Sequence, residues 1–418
     1  MSTRIIYATF DGIATIQHGI GTQTRAFINA VARMSLPEDV RVSIAFPQPQ
    51  SACEGYLWSE DTFADAVSLC DAARIALVPL PFTEGRLWTQ NAWVQLCKSL
   101  LRVIKEFRTA GERVVVLAVD AVFTPLSALA QQHLEQDGDL ELVHVLYSSA
   151  RVKGATHDPA REAWEQIAIT AINSQPRVHA ADIGASFTDH LRKAYGLSKE
   201  PLPFRQSVAL DDPELEPLNS AETTSRLISA GIPTSRPLVV AAARSDPIKG
   251  LPDLARALPH VTSDVLFVII AVPYHESDPY LAELEAALSQ SGREYVLFTR
   301  FDRTLLRALA SNSTTKAFVV PSRGEPVGMA PQEVALWARN SGPVVLASDC
   351  DGLAEQITHN LDGILFPPGD ERSIARAIDL AVGLAPESHQ ALRVALTKRV
   401  FRERDFVVNL GRLLDSLA

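Results

Sequence analysis

The chain contains 418 residues with a mass of 45.5 kDa, a length that favours two globular domains. Hydrophobic residues make up 47% and charged residues 21% of the sequence, which excludes a disordered chain. The formal net charge of −10 gives no electrostatic support to nucleic-acid binding and argues against a permanent anchor on anionic membranes.

Three further features narrow the class of protein. No apolar run approaches the ~20 residues of a membrane span, so no integral membrane segment is expected. The opening residues MSTRIIYATFDG enter a strand pattern without the apolar region and cleavage site of a signal peptide. The four cysteines show no CxxC or CxxH spacing, which argues against a zinc site and a disulfide framework. We therefore expect a cytoplasmic protein with reduced thiols.

Short apolar runs alternate with longer amphipathic stretches along the chain. In chain order, strands are predicted at Arg4–Thr9, Val40–Phe46, Ile75–Leu80, Val114–Val119, Leu142–Tyr147, Asp182–Ser186, Leu238–Ala243, Leu266–Val272, Tyr295–Phe301, Ala317–Pro321, Val344–Ala347 and Ile364–Phe366. Helical patterns between them include Thr22–Met34, Val94–Phe107, Leu251–Leu258, Tyr280–Leu288 and Arg372–Leu384. Because the strands are apolar throughout, they are predicted to be parallel and covered on both faces. The alternation predicts an α/β fold with doubly wound sheets.

The alternation stops at about residues 200–236, where proline, serine and acidic residues show no sustained period. This composition is typical of a linker. It divides the chain into a first domain at residues 1–205 and a second at residues 206–400. A helix at about residues 400–418 could pack back on the first domain.

A loop with two glycines follows the first predicted strand. The run His18-Gly19-Ile20-Gly21-Thr22 opens the first helix. A GxGT sequence alone most often forms a turn, and it is not the full GxGxxG fingerprint of dinucleotide binding. Its interpretation therefore depends on the rest of the chain.

Polar residues of the first half that follow predicted strand ends are candidates to bind a ligand, because open α/β sheets bind ligands at the carboxyl ends of strands. They are Asp11, His18, Asp120, Tyr147, Ser149, Arg151 and Lys153. For any one of them, a loop cap or a solvated charge is the more common explanation.

Two cations flank the turn after the strand predicted at Leu238–Ala243. They are Arg244 and Lys249, and a helix follows them. Arginine can bind a diphosphate bidentately and lysine can bind it as a point charge, so the pair suits a diphosphate. A solvated loop with an arginine–aspartate ion pair is the alternative.

The segment after Ala317–Pro321 carries the strongest local signal. Glu325 precedes a proline, which predicts that it lies on a loop at the carboxyl end of the strand. Glu333 lies eight positions later, inside the next helix. The two carboxylates could bind different hydroxyls of one polyhydroxylated ligand. An exposed glutamate and an ordinary helical glutamate would give the same spacing.

That helix is predicted to begin near Gly328. Pro331 fits its first turn, where the missing N–H costs nothing. The N–H groups near Gly328, Met329 and Ala330 would then form an anion site favoured by the helix dipole.

Together these residues resemble a known family. The run from Leu238 to Asp370 is similar to the donor half of family 4 glycosyltransferases, which have the GT-B fold and transfer sugars with retention. The similarity comprises a strand followed by ARSDPIKG, PSRGEPVGMAPQE, PVVLASDCDGLAE and NLDGILFPPGD, in the family's order. In the first half, HAADIGASFTDHLRKAYG and the Gly19–Gly21 loop are similar to family segments. The resemblance implies two Rossmann-like doubly wound domains facing each other across a cleft.

The resemblance also implies roles for the matching residues, and it makes the polar first-half candidates named above acceptor-side residues. Arg244 and Lys249 would hold the donor diphosphate, and Glu325 would contact the hydroxyls of the transferred sugar. The implied donor-binding residues are Gly19, Gly21, Gly328, Met329, Ala330 and Glu333, with Glu333 on the ribose. The implied activity is hexosyl transfer from a nucleotide-diphosphate sugar, first of all a UDP-sugar, to the hydroxyl of a small molecule or glycan. No metal or cofactor is implied, since cations and helix-end N–H groups would stabilise the leaving diphosphate.

The chain departs from the family pattern at three places. Ala243 replaces the glycine before the phosphate-binding arginine, and Arg205-Gln206-Ser207 replaces an expected Asn-Gly near the linker. Where many relatives have a histidine that helps contact the donor sugar, this chain has Tyr147, Ser148 and Ser149. The missing histidine bears on the choice of donor or on activity, and the replaced Asn-Gly predicts a different hinge.

Two alternatives stay open at this point. A pseudo-glycosyltransferase or a nucleotide-sugar epimerase would use the same nucleotide site with different chemistry. A catalytically inactive sugar-nucleotide-binding partner would keep the fold, although loss of Glu325 or Lys249 would be expected in it. Product analysis separates the first alternative from a transferase.

Overall fold

A computed structural model describes residues 2–16, 19–136, 138–152, 158–273 and 278–417. The chain forms two compact units. The first comprises mainly residues up to Ala209 together with Asp405–Ala418, and the second comprises mainly Leu210–Arg404.

The described part of the first unit contains a sheet of seven parallel strands. They are β1 (Thr3–Ala8), β2 (Val40–Pro49), β3 (Ile75–Phe82), β4 (Arg113–Val119), β5 (Leu140–Val145), β6 (Val178–Asp182) and β7 (Leu202–Pro203), in the spatial order β3-β2-β1-β4-β5-β6-β7. The helices between them are α1 (Gly19–Arg33), α2 (Glu60–Ala72), α3 (Gln90–Thr109), α4 (Leu126–Leu129), α5 (Gln131–Gln136), α6 (Pro159–Ser174) and α7 (Ala185–Tyr195).

The described part of the second unit contains a parallel sheet of six strands. They are β8 (Leu238–Arg244), β9 (Leu266–Val272), β10 (Tyr295–Phe298), β11 (Thr315–Val320), β12 (Val344–Ser348) and β13 (Ile364–Phe366), in the order β10-β9-β8-β11-β12-β13. Its helices are α8 (Ser220–Ser229), α9 (Leu251–Ala257), α10 (Pro279–Gln290), α11 (Arg303–Ser311), α12 (Ala330–Trp337), α13 (Asp351–Gln356), α14 (Glu371–Gly383) and α15 (Pro386–Glu403). Among the described residues, no helix is both long and apolar enough to cross a membrane.

Each sheet has one place where the strand order reverses direction. This switch point lies between β1 and β4 in the first unit and between β8 and β11 in the second. Open α/β sheets bind ligands outside the carboxyl ends of the strands at such a point. The loops that follow these four strands are therefore the positions in which functional residues are expected.

A last helix, α16 (Phe406–Asp415), belongs to the first unit. Phe406 and Leu410 are fully buried, and the Phe406 ring lies edge-on to Phe204 at 5.6 Å between ring centroids. The Asn409 amide donates a hydrogen bond to the Ser207 hydroxyl over 2.8 Å. This helix is therefore part of the core of the first unit.

One predicted strand is displaced and one helix was not predicted, while other predicted ends shift by a few residues, as for the strand Tyr295–Phe301, which ends at Phe298. The strand predicted at Asp182–Ser186 lies earlier, at β6, because the Asp182 carboxylate accepts hydrogen bonds from the Gly184 N–H and the Thr188 hydroxyl and so turns the chain into α7. The predicted linker contains α8, which begins with a capping box between Asn219 and Glu222. The Asn-x-x-Glu spacing was the available signal for this helix.

Candidate functional site

The side chains of Lys249 and Glu325 meet at the switch point of the second sheet. Lys249 ends a single 3₁₀ turn after β8, and Glu325 lies in the loop between β11 and α12. The Lys249 ammonium is 2.5 Å from a Glu325 carboxylate oxygen, which also accepts a hydrogen bond from the Ser322 hydroxyl over 3.3 Å. The two charged side chains are 20% and 13% exposed, so the pair is accessible to a ligand at one edge.

The loops that carry this pair touch through their backbones. The Arg323 N–H donates a hydrogen bond to the Ile248 carbonyl over 2.7 Å. Gly250 has a φ of +64°, and a Cβ atom there would lie 2.1 Å from the Pro321 carbonyl oxygen. Only glycine can therefore occupy this position without moving the loops apart.

A buried carboxylate joins the same two loops through side chains. Asp253 lies in α9 with a side chain that is 3% exposed. It accepts two hydrogen bonds from the Arg323 guanidinium, at 2.7 and 2.6 Å, and one from Arg256 at 2.5 Å. Burial alone would raise the pKa of Asp253, but the two guanidinium groups outweigh burial and lower it.

Asp253→Asn is expected to destabilise the second unit by about 2 kcal/mol at neutral pH, because it weakens hydrogen bonds between charged groups. The folded-state pKa is depressed, so the carboxylate stabilises the fold above its unfolded pKa of about 4 and loses this effect as the pH falls through the lower folded value. Denaturant unfolding of both proteins from neutral to acidic pH would measure the difference.

The matched control is Asp264→Asn, because the Asp264 carboxylate pairs with Arg236 but is 95% exposed. Asp264→Asn should lower the free energy of unfolding by less than about 1 kcal/mol. An equal pH dependence of unfolding for wild type and Asp253→Asn would contradict the assignment.

The backbone of Glu325 is held on both sides by the start of α13. Its N–H donates to an Asp351 carboxylate oxygen over 3.1 Å, and its carbonyl accepts the Gly352 N–H over 2.9 Å. A Cβ atom on Gly352 would lie 2.3 Å from the Val327 Cα, so the backbone at Gly352 is in direct contact with the loop after Glu325. The Gln356 amide then donates to the Gly328 carbonyl over 3.2 Å. Three residues of α13 thus support one short loop.

The donor-binding candidates of the second unit lie where the chain enters α12. Gly328 has a φ of +85°, Met329 occupies the N-cap position without a side-chain capping bond, and Ala330 is the first helical residue. Glu333 lies in the first turn, and its carboxylate is 3.1 Å from the Arg303 guanidinium. Glu333 is therefore already paired, by a residue that sequence reasoning did not identify.

Arg244 lies at the end of β8, on the same edge of the sheet as Lys249. Its guanidinium is 3.9 Å from the Asp246 carboxylate and its side chain is 35% exposed. The Asp246 carboxylate accepts the Ile248 N–H over 3.1 Å and so shapes the turn that leads to Lys249. The structure thus brings Arg244, Lys249 and Glu325 to neighbouring strand ends.

In the first unit, Gly19 and Gly21 begin α1, beside Asp11. Gly21 is buried, and a Cβ atom there would lie 3.1 Å from the Asp11 carboxyl group. Asp11 is itself buried and accepts the Gly12 N–H over 2.9 Å. His18 and Lys153, two other candidates, lie outside the described residues.

Asp120 and Tyr147 lie at the ends of β4 and β5 and are connected. The Tyr147 N–H donates to the Asp120 carboxylate over 3.3 Å, and the Ser148 hydroxyl donates to it as well. Asp120 is buried and has a φ of +61°, a conformation that non-glycine residues rarely adopt. Burial raises the pKa of its carboxyl group, and the charge of Arg161 opposes this rise.

Ser149 and Arg151 continue the same loop. The Ser149 hydroxyl is 2.8 Å from His190 Nε2, and the Arg151 guanidinium is 2.5 Å from the Glu162 carboxylate. Arg151 also lies over the Tyr195 ring at 4.7 Å from its centroid. Both side chains have protein partners, although the Arg151 side chain is 39% exposed.

Sequence reasoning missed several residues that shape the site in the second unit. They are Asp253, Arg303, Ser322, Arg323 and Gln356. Ser322 and Arg323 lie within the segment PSRGEPVGMAPQE, but the segment does not indicate what they contact. Asp253, Arg303 and Gln356 act on partners from a different loop or helix, which no spacing pattern shows. Among the described residues, no group of three or more histidine, cysteine, aspartate or glutamate side chains is arranged to hold a metal ion.

The second unit matches a known family. Residues 226–395 fit the family described as "Glycosyl transferases group 1". The chain is 27% identical over 293 residues to the D-inositol 3-phosphate glycosyltransferase of Xylanimonas cellulosilytica. The aligned region covers 67% of this chain and 66% of that protein. The chain therefore spans less than two thirds of that relative's length.

Solved structures extend the similarity of fold to nearly the whole chain. Sucrose-phosphate synthase from Thermosynechococcus elongatus superposes with a TM-score of 0.73 at 15% identity and covers 99% of both chains. The Anabaena protein HepE, solved in complex with UDP-glucose, gives a TM-score of 0.68 at 14% identity, again over 99% of both chains. The predicted fold, two Rossmann-like α/β domains of GT-B type, is confirmed. The predicted enzyme class, a glycosyltransferase, is confirmed for the domain that holds residues 226–395.

Proposed function

We propose that this chain is a retaining family 4 glycosyltransferase that moves a sugar from a UDP-sugar to a hydroxyl acceptor without a metal ion. The observation that carries the proposal is the Lys249–Glu325 pair at the switch point of the second sheet, 2.5 Å apart. An ammonium group suits a diphosphate, and a carboxylate suits sugar hydroxyls. The order of motif segments from Leu238 to Asp370 supports family 4 and retention.

In the proposed reaction the bond between the donor sugar and the diphosphate breaks as the acceptor oxygen attacks the anomeric carbon from the same face. The leaving diphosphate takes the acceptor's proton, so no protein side chain is assigned as a general base. Arg244, Lys249 and the amino-terminal turn of α12 would stabilise the negative charge that develops on the diphosphate. Glu325 would orient the transferred sugar through its hydroxyls.

UDP is the first nucleotide to test because HepE, which shares the fold, was solved with UDP-glucose. UDP is expected to raise the Tm more than GDP, ADP or dTDP. A ligand at about 100 times its Kd adds about 2.7 kcal/mol to the free energy of unfolding, which raises the Tm of a domain of this size by about 5–10 °C. Thermal unfolding of the full chain with each nucleotide measures this.

Inorganic diphosphate serves as the control for charge alone, since it shares the anionic group but lacks the base and ribose. An equal Tm increase with diphosphate and UDP would mean that the protein binds the anionic group and does not recognise the base and ribose. Stabilisation by none of the nucleotides would contradict the proposed function.

The acceptor is proposed to be a small molecule with free hydroxyls. A relative similar to this chain acts, by its name, on D-inositol 3-phosphate, so this compound belongs in the first acceptor screen. The screen would measure release of UDP from UDP-glucose and the glycosylated product by mass spectrometry. The anomeric configuration of the product then tests retention, and an inverted product would overturn that part of the proposal.

A further inference from the structure

Asp351 adopts a backbone conformation that aspartate rarely takes. Its φ is +40°, and the other described residues with positive φ that are not glycine are Arg74, Asp120 and Asn360. A side chain in this region costs energy, so the surrounding structure must hold it there. The contacts of Asp351 identify what this conformation achieves.

The Asp351 carboxylate does not cap its own helix. The hydrogen bond it accepts comes from the Glu325 N–H over 3.1 Å, across from the loop that follows β11. The next residue, Gly352, donates its N–H to the Glu325 carbonyl over 2.9 Å. Two consecutive residues therefore bind the two polar backbone groups of Glu325 and fix where its Cα lies.

The side chain of Glu325 is oriented from the opposite direction. Its carboxylate accepts hydrogen bonds from the Lys249 ammonium and the Ser322 hydroxyl. A Cβ atom on Gly328 would lie 2.8 Å from the Glu325 Cγ, so the absence of a side chain at residue 328 leaves room for Glu325 in this position. With the backbone held by Asp351 and the carboxylate by Lys249, Glu325 has a defined position.

We propose that Asp351 is a positioning residue that sets Glu325 for the transferred sugar. The inference rests on the proposed function, in which Glu325 contacts the sugar and Lys249 contacts the diphosphate. Asp351 acts on the backbone of Glu325 and forms no described hydrogen bond or ion pair with Arg244 or Lys249. Its loss should therefore affect the sugar-dependent step and leave binding of the nucleotide unchanged.

Three variants separate positioning from a merely structural role. Asp351→Gly removes the carboxylate and also suits the positive φ, so the backbone is not strained. Asp351→Asn keeps an oxygen that can accept the Glu325 N–H. Asn360→Gly is the matched control, because Asn360 has a φ of +62° in a turn before β13 and no role in the proposed site.

The experiment measures the Kd of UDP by calorimetry and the rate of UDP release from UDP-glucose. For Asp351→Gly we expect an unchanged Kd of UDP and a kcat reduced by up to about 100-fold, the cost of misplacing a contact by about 1 Å. Asp351→Asn should recover most of the rate, and Asn360→Gly should equal wild type. Hydrogen exchange of residues 322–328 should be faster in Asp351→Gly than in Asp351→Asn.

A wild-type kcat in Asp351→Gly would overturn the inference, and so would a parallel loss of UDP affinity and rate. Unchanged hydrogen exchange would also overturn it, independently of any nucleotide. A wild-type chain that neither binds UDP nor releases it from UDP-glucose would instead overturn the proposed function and the inference with it. The two failures are therefore distinguishable.

Discussion

Lys249→Ala is expected to abolish binding of UDP and transfer of sugar while the second unit remains folded. The change removes the ammonium that neutralises Glu325 and would leave that carboxylate beside an incoming diphosphate. Two negative charges in a partly buried site repel each other, and loss of one group that stabilises the leaving anion costs roughly 100- to 1,000-fold in kcat. Calorimetry with UDP and UDP release from UDP-glucose would measure both effects.

Lys199→Ala provides a matched control in the first unit. The Lys199 ammonium donates to the carbonyls of Gln175, Pro176 and Val178, and burial lowers its pKa. This lysine is structural, so its loss should lower the Tm and leave UDP affinity unchanged. Lys249→Ala should show the opposite pattern. An unchanged UDP affinity in Lys249→Ala would contradict the site assignment.

Gly250→Ala is expected to have the second large effect, on both stability and nucleotide binding. The new Cβ atom would lie 2.1 Å from the Pro321 carbonyl oxygen, and the backbone at residue 250 has a φ of +64°. The left-handed conformation alone costs roughly 1–2 kcal/mol, and relieving the overlap must push the loop before Gly250 away from the loop after β11. We expect the free energy of unfolding of Gly250→Ala to fall by at least about 3 kcal/mol in total, and we expect UDP not to raise its Tm.

Gly231→Ala isolates the conformational cost from the overlap. Gly231 has a φ of +73° in the same unit, and nothing lies within 4 Å of its added Cβ atom. The free energy of unfolding of Gly231→Ala should fall by about 1 kcal/mol, and UDP should still raise its Tm. Equal Tm losses for the two variants would mean that contact between the two loops does not matter for stability. Thermal unfolding with and without UDP measures both quantities.

The sheet of the second unit could be predicted closely because its strands are apolar on both faces. The predicted strands Leu266–Val272 and Ile364–Phe366 coincide with β9 and β13. The elements that were missed or displaced depend on side-chain caps. The Asp182 carboxylate ends β6 early, and the Asn219 capping box starts α8 within a segment of linker-like composition. Hydrophobic periodicity carries no information about either cap.

The candidate site could be predicted as a set of residues but not as a set of contacts. Glu325 and Lys249 were identified from motif segments, and they are separated by 76 positions in the chain. Whether they pair depends on which strands become neighbours, and the sequence spacing does not contain that order. The same holds for Asp253 with Arg323 and for Asp351 with Glu325. The roles of these residues remain predictions for the variants described above.

The position of α16 has a consequence for how the protein folds during synthesis. The first unit is interrupted by the second, and it is completed by Phe406, Leu410 and Leu413, which are fully buried. A ribosome must therefore finish the whole second unit before the first can close its hydrophobic core. Until then α1 and the segment near Val208 lack their packing partner. The first unit would spend this time as an incomplete, chaperone-accessible intermediate, although its sequence is made first.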